Sequence, residues 1–180
     1  MLLAPVRAVE SAAVVAAATT SVLPVLAAVA SPVVIADGGR LRGVLSQLVL
    51  HADVVVVAHR QHPGSAAAAA LGFERLAELT SQLAVRSIPT VVALIGDRPY
   101  GADEIAGFVE ADVVVTIADD PWSAAVFAGR AGSAMRLRRS PLMRSLGELA
   151  GAISARLRQV RTYDGSVSNG MSNGMSERSA

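Results

Sequence analysis

Four short runs of β-branched residues, each closing on an acid, a histidine or a glycine, constrain this chain more than any other feature. They occupy 33–39, 53–59, 90–97 and 112–120, and helical patterns separate them. Strands that are apolar on both faces belong to parallel sheets covered by helices. The expected fold is therefore α/β: an open, mostly parallel sheet of four or five strands with helices on both faces. Such sheets bind ligands beyond the carboxyl ends of their strands. Those ends are where Asp37, Asp97, Asp119 and Asp120 fall.

The helices between the runs have readable ends. Ser65 is placed to cap a helix running to about 85, and Pro121 sits at a first helical turn with Asp120 as its cap. Asp103 and Glu104 open a short helix at its positive end. Leu142, Leu146, Leu149, Ile153, Leu157 and Val160 recur at spacings of three and four after Ser140-Pro141. Gly147 and Gly151 in that helix suit close approach of a neighbour, and Gly38-Gly39 suits a turn that a side chain would obstruct. A further stripe covers 41–50, and Ala-rich helices are expected over 6–20 and after Pro24.

Length allows one α/β domain over 1–161. Residues 162–180 lose all periodicity and carry the repeat Ser168-Asn169-Gly170-Met171, Ser172-Asn173-Gly174-Met175. A Ser/Gly/Asn tail of this kind buries too little to offset its ordering entropy and is expected to be disordered.

Composition removes several chemistries. There is no Cys, hence no disulfide, thiol nucleophile or thiolate metal site. All 16 basic residues are Arg, so a Gly-Lys-Ser/Thr phosphate clamp is absent. No Gly-x-Gly-x-x-Gly or Gly-x-Ser-x-Gly pattern occurs. His59 and His62 are three apart, but no nearby acid completes a metal set, and none is expected.

Residues 11–36 carry no charge until Asp37 approaches, yet Pro24 and Pro32 interrupt the stretch. A buried helix and strand in a cytoplasmic protein, peripheral at a membrane in one variant, is the favoured reading. Export or anchoring through residues 1–30 is the alternative.

Asp37 has two readings. It is the acid on the magnesium side of a nucleotide site, or a turn-forming Asp before Gly38-Gly39. Over 130–161, eight Arg stand against Glu148 alone, with Arg136, Arg138 and Arg139 at the centre. That cluster is a solvated face, a non-specific DNA contact, or a contact with an anionic membrane.

In order and punctuation, residues 33–160 resemble the ParA/MinD group of P-loop ATPases, the deviant Walker A family, and within it the septum-site and pilus-assembly (CpaE/TadZ-like) branch. The residues that carry the likeness are 33–40 with Asp37, Gly38 and Gly39; 52–58; 90–97 with Asp97; Asp119-Asp120-Pro121; Ala128-Gly129-Arg130; and Ser140-Pro141-Leu142. The resemblance places nucleotide or magnesium near Asp37, Gly38, Gly39, Asp97, Asp119 and Asp120. The family's phosphate loop and its Lys are missing, and Gly96-Asp97 stands where the family usually has Asn. It implies a degenerate protein that does not hydrolyse ATP alone. Such a protein acts as a regulatory or positioning partner in septum placement, chromosome partitioning or pilus assembly. No catalytic residue is assigned, and ATP and magnesium enter only if a partner supplies the phosphate loop. The expected partner is another protein chain, a second copy or a different one. One alternative is the C-terminal part of an active ATPase whose phosphate loop is encoded upstream.

Overall fold

The computed structural model describes Val25, 33–38, 47–61 and 64–172, with side chains as far as Val160. The chain divides into two compact units, Met1–Ala52 and Asp53–Ala180.

In the first unit, the described part of the stripe expected over 41–50 is a helix, α1 (Gln47–Leu50), and 41–46 lie outside the described residues. The buried strand expected at 33–36 is corrected. Residues 33–38 carry no regular secondary structure and are exposed, Ile35 to 91%. Val-Val-Ile favours extended backbone, but a strand also needs a ladder and a covering face, and β propensity yields to that context. Among the described residues, none lies within 4 Å of where a side chain on Gly38 would begin. Gly39, the helix expected over 6–20 and the export segment lie outside the described residues, Val25 excepted.

The second unit runs β1 (Val55–Arg60), α2 (Ala66–Ala84), β2 (Thr90–Ile95), α3 (Ala102–Ala106), β3 (Val113–Ile117), α4 (Pro121–Phe127), α5 (Ala134–Arg138) and α6 (Pro141–Ser172). It is an α/β fold with an open parallel sheet of three strands in the order β1-β2-β3. The register pairs Val57 with Val92 and Ala93 with Val115. Both crossovers advance in one direction, so right-handed connections put α2 and α3 on the same face.

Strand parity then assigns the faces. His59 stacks on Phe73 of α2 with ring centroids 5.2 Å apart. Val55, Val57 and His59 therefore face α2, together with Thr90, Val92 and Leu94 across the register. The opposite face, with Val91, Ala93, Val115 and Ile117, is covered by α6, which packs on β3 and β2. Thr90, Val91, Val92, Ala93 and Leu94 are all buried, as a central parallel strand requires. In β1, Val56, Ala58 and Arg60 alternate with the residues facing α2 and are exposed.

Helix ends follow the local chemistry. Ser65 Oγ accepts from the Ala68 amide at 3.3 Å, and Glu104 reaches back to the Gly101 amide at 3.0 Å. The α6 stripe lies half-buried from Leu142 to Val160. Gly147 and Gly151 face open space, which corrects their expected role in close packing. The α6 backbone runs on to Ser172, into the segment expected to be irregular. Extending a formed helix needs no new nucleus, so elongation outlasts the apolar period.

At the amino ends of the strands, Asp112 ties three elements together. Its Oδ2 accepts from the Thr90 amide at 2.6 Å, and its Oδ1 lies 3.4 Å from Arg156 of α6. The same guanidinium donates to the Asp112 carbonyl at 3.0 Å. This gives the Ala-Asp-Val-Val-Val entry to β3 a physical purpose.

Candidate site at the carboxyl rim

Parallel register brings Arg60, Ile95 and Ile117 to one edge of the sheet, so the residues that follow β2 and β3 share a rim. Asp97 follows β2 after Gly96, and Asp119 and Asp120 follow β3. These three of the expected site residues are brought to the same edge. Asp37 belongs to the first unit and ends no strand.

The rim is closed by structural bonds. Gly96 holds φ at +88°, a conformation that favours glycine, and its amide continues the ladder to Ile117 O at 2.9 Å. Beyond β1, the Gln61 side chain is 4% exposed and fully engaged. Its Nε2 donates to the carbonyls of Gly96 at 2.9 Å and Tyr100 at 2.8 Å, and its Oε1 accepts from the Tyr100 amide at 3.0 Å. One amide thereby fixes the whole 96–100 loop, which contains the cis Arg98–Pro99 bond and the exposed Asp97. Tyr100 also packs edge-on to Phe73 with centroids 5.0 Å apart.

Arg60 crosses the end of β2 to meet Asp119, Nη2 to Oδ1 at 3.1 Å. Both side chains are about half-exposed, 56% and 44%, so solvent screens the pair and its worth is about 0–1 kcal/mol. Past β3, the Ala118 amide donates to Ser145 Oγ of α6 at 3.1 Å, and that hydroxyl donates to Leu142 O.

Asp120 caps α4. Its Oδ1 accepts from the Ser123 amide at 3.0 Å and its Oδ2 from the Ser123 hydroxyl at 2.6 Å. The Ser123 hydroxyl is the main reason that the Asp120 carboxyl titrates below the usual range. The amides of Ser123 and Trp122 and the charge of Arg136 add to the shift. A depressed folded pKa stabilises the fold above the unfolded value of 3.8, and that contribution is lost as pH falls through the folded value. Asp120→Ala is thus expected to lower the melting temperature at neutral pH. The gap to the parent chain should narrow as the pH drops below 3.8. Melting curves at a series of pH values check this, and a gap that widens in acid would contradict it.

The Arg cluster separates into two uses. Arg136 lies over the Trp122 ring, 4.3 Å from its centroid, and so holds α5 against α4. Arg138 and Arg139 are exposed. His59 is absorbed by its stack on Phe73, while His62 lies outside the described residues. Among the described residues no group of three His, Asp or Glu is arranged to hold a metal ion, and no helix is long and apolar enough to cross a membrane. An open groove of about 410 Å³, lined by Ser87, Pro89, Glu110 and Asp112 among others, lies at the amino ends of β2 and β3, opposite the rim.

Gln61 and Ser145 were not among the expected site residues. Gln61 directly after an apolar strand was the available signal for the first. A lone Ser between Leu142 and Leu146 was the signal for the second.

No family model matches the chain, and no curated protein or solved structure is found to match it.

Proposed function

We propose that this chain is a degenerate relative of the ParA/MinD ATPases that does not turn over ATP alone. It acts as a regulatory or positioning partner in septum placement, chromosome partitioning or pilus assembly. The observation that carries the reading is how the strand-end acids are spent. Asp119 is held by Arg60 and Asp120 by Ser123 and the first turn of α4, so two of the three rim carboxylates serve the scaffold.

Strand order supports the same view. Ligand crevices in open α/β sheets form where the order of strands reverses. The three described strands run β1-β2-β3 without a reversal. Loss of the Lys removes the group that would hold a β/γ-phosphate. Gln61 stiffens the same rim by fixing the 96–100 loop.

Phosphate release from ATP and magnesium by the purified chain tests the reading. The expected result is no release above buffer. Turnover that disappears in Asp119→Asn would overturn it and favour a working nucleotide site.

A further inference from the structure

We infer that the two Asn-Gly pairs of this chain are sites of self-modification, converted to aspartate and isoaspartate in a fixed order, Asn173 first and Asn169 after it. They are the only Asn residues in the sequence, and each is followed by Gly. Their surroundings are the same: Ser168-Asn169-Gly170-Met171-Ser172 repeats as Ser172-Asn173-Gly174-Met175-Ser176. Both pairs are independent of the nucleotide-switch reading.

The chemistry needs only water. The Gly amide nitrogen, after giving its proton to hydroxide, attacks the side-chain carbonyl carbon of the preceding Asn. A carbon–nitrogen bond forms, the bond to the side-chain nitrogen breaks, and ammonia leaves with a proton taken from water. Water then opens the five-membered imide at either carbonyl. One opening gives Asp. The other gives isoaspartate, whose main chain runs through the side-chain carbon. Gly leaves the attacking nitrogen unhindered because it has no Cβ. Asn is thermally labile in proteins for this reason.

The backbone separates the two sites. Helix α6 ends at Ser172, so Asn169 and Gly170 lie in its last turn and Asn173 is the next residue in the chain. In an α-helix the Gly170 amide donates to the carbonyl four residues back, that of Ser166. Attack requires that bond to open and the Asn169 backbone to leave helical dihedrals. Conversion at Asn169 therefore waits on fraying of the last turn. Once residue 173 is a carboxylate, a negative charge stands beside the negative end of the helix dipole and favours that fraying. The first conversion thus speeds the second.

Peptide mapping by mass spectrometry tests the inference, on the full chain incubated at mildly alkaline pH with and without urea. In buffer, Asn173 is expected to convert at least about threefold faster than Asn169. In urea the two rates should become equal, because the five-residue contexts are the same. Asn173→Asp is expected to speed conversion at Asn169 about two- to fivefold, and the neutral Asn173→Gln to leave it unchanged. Absence of conversion in the full chain, Asn169 converting as fast as Asn173 in buffer, or a difference that persists in urea would overturn the inference. So would an Asn169 rate that ignores Asn173→Asp.

Discussion

Leu94→Ala is expected to destabilise the Asp53–Ala180 unit by about 2–5 kcal/mol, as truncations of fully buried leucines do. Leu94 is 0% exposed on the central strand, beside His59 in the register and on the face covered by α2. Its neighbours Val91 and Val92 are equally buried, and few aromatic side chains are available to shift into a void. A core of small aliphatic groups relaxes poorly around a lost isobutyl group, because each contact is short and already filled. Chemical denaturation of the full chain measures the effect. The same substitution at Leu71, which is exposed on α2, should cost far less. A loss under about 1 kcal/mol at Leu94 would mean that β2 is not the centre of the sheet.

The second large effect is expected at Gln61. Gln61→Ala removes three hydrogen bonds and leaves two carbonyls and an amide of the 96–100 loop without their partner. Each costs about 1 kcal/mol, and water reaches the exposed side of the loop, so the total is about 2–3 kcal/mol. Gln61→Glu is the sharper test. A carboxylate can still accept from the Tyr100 amide, but it cannot donate to the carbonyls of Gly96 and Tyr100. It is therefore expected to be at least as damaging as Ala despite its matching shape. Faster hydrogen exchange at the Tyr100 amide should accompany both changes. An unperturbed loop in Gln61→Glu would show that the side chain is not holding it.

These two positions also show where the sequence could and could not be read. Ser65, Asp120 and Pro121 sit where local chemistry placed them, because a helix cap is decided within four residues. The three strands at 55–60, 90–95 and 113–117 were legible for a similar reason: a run apolar on both faces has few other homes. The run at 33–36 has the same composition and no strand, since pairing is a long-range event that propensity does not determine. Leu94 could be named as core from its strand alone. Gln61 could not, because its partners lie 35 and 39 residues away on a loop whose path depends on Gly96. The tie between Asp112 and Arg156 of α6 spans 44 residues and needed the packed helix. Asp97 and Asp119 share a rim as expected, and the structural use of Asp119 came only with the position of Arg60.

Thermal unfolding of the full chain with and without magnesium and ATP puts the central claim to its most direct test. A ligand held by the folded state at roughly 100 times its dissociation constant adds about 2.7 kcal/mol of stability and raises the melting temperature by several degrees. With the rim closed by Gln61, Arg60 and Ser123, no shift is expected in the parent chain or in Asp97→Asn. A magnesium-dependent rise of several degrees that vanishes in Asp97→Asn or Asp119→Asn would contradict the claim and make this rim a nucleotide site.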